Sequence, residues 1–134
     1  MTTTTCWTWP SRVLTAAGVA LIPWILVLSR VAGAYPVAWI GLDTMEAIGL
    51  VGTGLLLARH DPLRVAVAPA TAVLLTVDAW FDVLTAGPGV LMALLMAACL
   101  ELPLAALCAA VAWNALRELP PADQNHRSGF PKAG

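Results

Sequence analysis

Apolar residues in this chain fall into four long runs, from about Val13 to Val31, Val37 to Ala58, Leu63 to Ala86 and Val90 to Leu116. Each run is close to the roughly 20 residues that a helix needs to cross a hydrocarbon core. The breaks between them explain where helices stop. Tyr35-Pro36 ends the first helix and begins the second. Arg59-His60-Asp61-Pro62 is a short polar turn in which Asp61 can cap the third helix, with Pro62 at its first position. Gly87-Pro88-Gly89 is a tight turn. Connections this short force neighbouring helices to run antiparallel. The pattern therefore predicts an all-α protein, a transmembrane four-helix up-down bundle over residues 12–117. Residues 1–11 form an N-terminal segment, and the Pro120-Pro121 and polar stretch within 118–134 reads as a disordered tail.

The first run competes with a cleaved signal peptide, because Arg12, an apolar stretch and Ala32-Gly33-Ala34 share that layout. The length of the run and Pro23-Trp24 at its middle weigh against cleavage. Alternating connections put Arg12, Arg59, Arg64, Arg117, Arg127 and Lys132 on one side and only Arg30 on the other. Six of seven basic residues on one side predict that both termini are cytoplasmic, in a multi-pass protein of the inner (plasma) membrane. Trp7, Trp9 and Trp113 then fall at the inner interface, and Tyr35, Trp39, Trp80 and Phe81 near the outer one.

Composition agrees with the runs. Sixty per cent of the 134 residues are hydrophobic and 11% charged, more apolar surface than one soluble core of this size can hide. A net charge of −1 offers no phosphate-neutralising surface, so nucleic acid is excluded as a partner class. The lipid bilayer is the partner the composition demands. A homo-oligomer or a second membrane protein is left open.

Charge placement carries the chemistry. Five of the eight carboxylates lie inside the apolar runs: Asp43, Glu46, Asp78, Asp82 and Glu101. Counting about 1.5 Å per residue from the cytoplasmic arginine of each helix puts Glu46 and Asp78 at roughly 20 Å, Asp43 and Glu101 at roughly 24 Å, and Asp82 and Arg30 at roughly 27 Å. All six share one layer in the outer leaflet. Asp78 and Asp82 are four apart, with Thr71 and Thr85 on their stripe, and Asp43 and Glu46 are three apart, with Thr53 continuing their face. Ala93, Ala97, Glu101, Ala105 and Cys108 form a stripe of small residues on the fourth helix. A carboxylate at the bilayer centre costs roughly 3 kcal/mol, less near the interface. One arginine cannot neutralise five acids, so protons, solvent or a cation must meet the remainder. Arg30 and Asp82, at equal depth, are the expected pair.

Other candidate signals read as packing. Cys6, Cys99 and Cys108 lack C-x-x-C spacing, and the last two are about 13 Å apart along one helix, too far to bridge. Gly49, Gly52 and Gly54 lie mid-helix with no preceding strand, so they predict helix contacts rather than a phosphate loop. Pro23 and Pro103 are expected to kink their helices, Pro103 just past Glu101. His60 sits in a turn and His126 in the tail, and no nucleophile dyad or G-x-S-x-G is present. The balance leans away from an enzyme. A hydrolase using paired carboxylates would lack both a nucleophile and a metal-binding histidine.

The strings Trp39-Ile40-Gly41-Leu42-Asp43, Asp78-Ala79-Trp80-Phe81-Asp82-Val83 and Glu101-Leu102-Pro103-Leu104 resemble an uncharacterised family of small actinobacterial four-helix integral membrane proteins. The similarity runs from about Arg12 to Arg117, and D-A-W-F-D is its most specific part. It implies fold and topology and carries no activity. Small multidrug transporters match in length and helix count, but they keep an acid in the first helix and insert in both orientations. Here the first helix has no acid, and the charge bias opposes dual insertion.

Two functional readings result. In the first, Asp43, Glu46, Asp78, Asp82, Glu101 and Arg30 line an outward-facing acidic pocket for a cation or cationic small molecule, linked to transport or sensing. Its ligands are oxygens only, so a hard divalent cation would be held by Asp43, Asp78, Asp82 and Glu101. In the second, a structural or assembly subunit uses the same acids and Arg30 as a buried network that fixes helix packing.

Overall fold

The computed structural model describes residues 8–31 and 36–119. The N-terminal segment 1–7, residues 32–35 with Tyr35, and the tail from 120 onward, with Cys6, Trp7, His126, Arg127 and Lys132, lie outside the described residues. Helix α1 spans Trp9–Val31, α2 Pro36–Ala58 and α3 Arg64–Thr85. A single 3₁₀ turn, Gly87–Gly89, leads into α4, Val90–Met96. A π-helical turn, Ala97–Glu101, joins α4 to α5, Leu102–Arg117. Four spans are thus long and apolar enough to cross a membrane, the last made of α4, the π-turn and α5. Among the described residues there is no strand.

The break between α2 and α3 shows how local chemistry sets the hairpin. His60 takes the left-handed conformation at φ 53°. Its N–H donates to the Leu57 carbonyl, and the Asp61 N–H donates to that of Leu56. This pair of bonds is the Schellman ending, which satisfies carbonyls that α2 would otherwise leave bare. The Asp61 carboxylate accepts from the Leu63 N–H at 2.9 Å. Asp61 thus meets the N–H two residues on, as an N-cap does. Pro62 opens a tight first turn, with Arg64 N–H bonded to the Asp61 carbonyl and Val65 N–H to that of Pro62, before the regular α-helix begins at Arg64.

Helix α1 packs chiefly on α2, α3 on α5, and the two hairpins meet through α2 and α3. Leu14, Leu50, Ala68, Leu75, Ala105, Cys108, Val111 and Ala112 form the core. Large apolar side chains point outward instead, among them Ile22, Leu26, Ile48, Val73, Leu91 and Leu94. Trp80 and Phe81 are exposed as well, turned away from the aspartate stripe of α3. The buried set includes Ser11, Asp43, Glu46, Thr53, Arg64, Thr71 and Asp78. In water such an apolar exterior would aggregate. Against lipid tails it is the solvated face, and helix association depends on close packing and internal hydrogen bonds.

Close packing is supplied by glycine at two crossings. A Cβ on Gly54 would stand 2.8 Å from the Ser11 carbonyl and would overlap Thr15 Oγ1, so α1 and α2 touch there backbone to backbone. A Cβ on Gly49 would stand 2.6 Å from Thr71 Oγ1. Thr71 in turn lies 3.3 Å from Thr53 Oγ1, a buried hydroxyl pair that stitches α2 to α3. Gly52 departs from the expectation of a contact glycine. Its nearest neighbour would be Val67 Cγ1 at an ordinary 3.7 Å, and Gly52 lines an open apolar groove between α1 and α2.

The first and last described residues lie at one end of the bundle. Thr8 and Pro10 share a cavity of about 250 Å³ with Asn114 and Glu118. Arg64 is buried at this end and pairs with Glu118, its second nitrogen standing 3.5 Å from His60 Nδ1.

Candidate functional site

The other end of the bundle collects acids. Helix α2 places Asp43 and Glu46 on one face by their spacing of three, and α3 places Asp78 and Asp82 on one face by their spacing of four. The fourth span contributes Glu101, the last residue of the π-turn. Proline accounts for that turn. Pro103 has no N–H to continue the ladder, and its ring crowds the carbonyl four residues before it. The backbone responds by widening, so that the Leu102 N–H bonds to the Ala97 carbonyl five residues back. A π-turn carries one extra residue and rotates the residues beyond it relative to an unbroken helix. The distortion expected at Pro103 therefore takes the form of a π-bulge that sets the azimuth of Glu101.

The carboxylates converge in two groups. One oxygen from each of Asp43, Glu46 and Asp78 lies within 4.8 Å of the others, and the same holds for Asp78, Asp82 and Glu101. Asp78 belongs to both. Asp43, Glu46 and Asp78 retain only 6%, 2% and 6% of their exposure, while Asp82 and Glu101 are half-buried. Asp82 is one turn from the end of α3, so the second group lies toward the rim of the bundle.

No donor meets these acids among the described residues. Asp43 Oδ2, Glu46 Oε1, Asp78 Oδ1 and Glu101 Oε2 are buried without a hydrogen-bond partner. The ion pair formed among the described residues is Arg64 with Glu118, at the opposite end. Arg30, in the last turn of α1, is exposed and makes no ion pair with them, so the expected Arg30–Asp82 bridge is absent. Its cause is lateral. Equal depth does not bring two residues together when α1 packs on α2 and Asp82 sits on α3. Thr85 likewise leaves the stripe, exposed and bonded to the Phe81 carbonyl.

Three carboxylate oxygens within 4.8 Å match a single hard cation, since metal–oxygen bonds of about 2.1–2.5 Å put opposite ligands about 4.2–5 Å apart. Among the described residues no cysteine or histidine joins either group. Cys108 is a buried core residue, Cys99 is exposed, and both are free thiols. Comparison with known proteins finds no matching family model, no similar curated protein and no similar solved structure. The functional reading rests on geometry.

All five acids stand out in the sequence, whereas Arg64, which there serves orientation and the depth count, gives no expectation of its buried pairing with Glu118. The signal was present in Arg64 standing four residues after His60 at the start of an apolar run.

Proposed function

We propose that the protein is a non-catalytic, multi-pass plasma-membrane protein with cytoplasmic termini, whose intramembrane carboxylates bind a cation entering from the outer side. The ligand class is a hard divalent ion or a protonated amine, and binding is linked to transport or sensing. The observation that carries this reading is the convergence of five acids from three spans with no donor facing them among the described residues. Buried charge without a partner costs several kcal/mol and persists where function requires it. A purely structural network would instead pair the acids with an arginine, and Arg30 stands outside the cluster.

Thermal unfolding of the full chain in detergent tests the reading, with Mg²⁺, Ca²⁺, Mn²⁺ or an organic amine added at matched ionic strength. A ligand at a hundred times its Kd stabilises by about 2.7 kcal/mol. The expected result is a rise of several degrees that Asp78→Asn abolishes while still folding. No rise with any of these cations overturns the reading, as does an Asp78→Asn chain that fails to fold without ligand.

A further inference from the structure

Resting on that reading, we infer that the acidic cluster holds two divalent cations, with the Asp78 carboxylate bridging them. The five acids do not close around one point. Their oxygens form two separate triads, Asp43–Glu46–Asp78 and Asp78–Asp82–Glu101, that share only Asp78. A carboxylate has two oxygens and commonly spans two ions, and two-metal sites hold their ions about 3.5–4 Å apart. Each triad offers the three oxygens that a hard ion takes from protein, with water completing the shell.

The second, independent observation is the set of orphaned oxygens. Asp43, Glu46 and Asp78 are each more than nine-tenths buried, and each carries an oxygen with no partner. Glu101 contributes a buried, partnerless Oε2 to the other triad. Both triads thus contain buried acceptors that no donor among the described residues satisfies. Charge points the same way. One divalent ion would leave three of the five acids uncompensated in a low-dielectric layer, whereas two ions leave one.

The two positions differ in burial, and this orders them. The ion among Asp43, Glu46 and Asp78 is the more sequestered, because all three side chains are buried. The ion at Asp82 and Glu101 keeps water and exchanges faster, because those two side chains are half-buried near the end of α3. The π-turn at Ala97–Glu101 is then the device that supplies the second position, by turning Glu101 toward α3.

Titration of the full chain in detergent with Mn²⁺, monitored by electron paramagnetic resonance of free and bound ion, decides the matter on the unmodified protein. The expected count is two Mn²⁺ per chain, the second at least tenfold weaker, with exchange-coupled signals appearing as it binds. Asp82→Asn should leave one tight, isolated Mn²⁺, and Asp43→Asn one weak, isolated Mn²⁺. Asp78→Asn should remove the coupling and bring the count below two. One Mn²⁺ per chain overturns the bridged pair and leaves the cation reading standing. Two ions without coupling overturn the bridge. No Mn²⁺ bound overturns the pair, and the cation reading falls with it if the organic amine also fails to raise the melting temperature.

Discussion

The two ends of this bundle handle buried charge in opposite ways. At one end Arg64, almost wholly buried, donates to Glu118 and lies beside His60. At the other, five acids from α2, α3 and the fourth span converge with oxygens that nothing among the described residues donates to. A chain that matches one guanidinium with a carboxylate has the means to pair charge where pairing serves the fold. The difference teaches that the acidic end is shaped for something that the chain does not itself supply, whereas the Arg64 end is a lock between the start of α3 and the end of α5.

The largest effect should come from breaking the lock. Glu118→Ala leaves Arg64 buried with only His60 at hand. Loss of a partner from a fully buried pair costs about 3–5 kcal/mol, and the exposure of Glu118 and the ability of Arg64 to reach toward water reduce this to about 2 kcal/mol. Combining it with Arg64→Met should recover most of the loss, since no stranded cation remains. Thermal melting of both variants beside the unmodified chain in detergent measures it. Equal stability of Glu118→Ala and the unmodified chain would mean that the two ends do not differ as described.

A smaller effect tests what holds the acids in register. Gly49 lies three residues after Glu46 and would carry its Cβ into Thr71, the residue that bonds Thr53 across the α2–α3 contact. Gly49→Ala should cost about 1–2 kcal/mol by overpacking and should weaken Mn²⁺ binding, because it pushes Asp43 and Glu46 away from Asp78. Gly52→Ala, facing only Val67 and an open groove, should stay within about 0.5 kcal/mol of the unmodified chain. If the two substitutions act alike, the tight crossing is elsewhere.

Much of this was legible in the chain because it is one-dimensional. Run length gives the four spans, and counting along helices gives depth, so Asp43, Glu46, Asp78, Asp82 and Glu101 could be placed in one layer before any tertiary contact was known. What depth cannot give is azimuth and lateral distance. Arg30 shares that layer and still stands apart, because α1 contacts α2 and leaves α3 to others. Gly52 and Gly54 differ by two positions and hence face different neighbours, one a groove and the other Ser11. The π-turn left no trace in hydropathy. It arises from a hydrogen bond that Pro103 cannot make, and only the backbone reveals which way Glu101 turns.

A gentler outcome is expected at the acidic end in the absence of cations. Asp78 has an unpartnered oxygen beside four other acids, so Asp78→Asn removes a buried charge without stranding an opposite one. Stability should be unchanged or higher by up to about 1 kcal/mol. A loss comparable to that of Glu118→Ala would show that Asp78 is paired after all.

Arg30 should yield the smallest effect of all, and it contrasts with Arg64 at the opposite end of the bundle. Arg64 is buried and paired; Arg30 is exposed at the end of α1 and pairs with none of the acids. Were the acid layer neutralised by the chain itself, Arg30 would be the group to do it, and Arg30→Ala would cost several kcal/mol by leaving carboxylates uncompensated. With bound cations in that role, Arg30→Ala falls among exposed substitutions and shifts stability by less than about 0.5 kcal/mol. Mn²⁺ affinity should change by no more than a few fold, and upward, because a like charge near the rim is removed and salt screens what remains beyond about 10 Å. A drop of several degrees in the melting temperature, or lost Mn²⁺ binding, would place Arg30 in the network and make the acids structural.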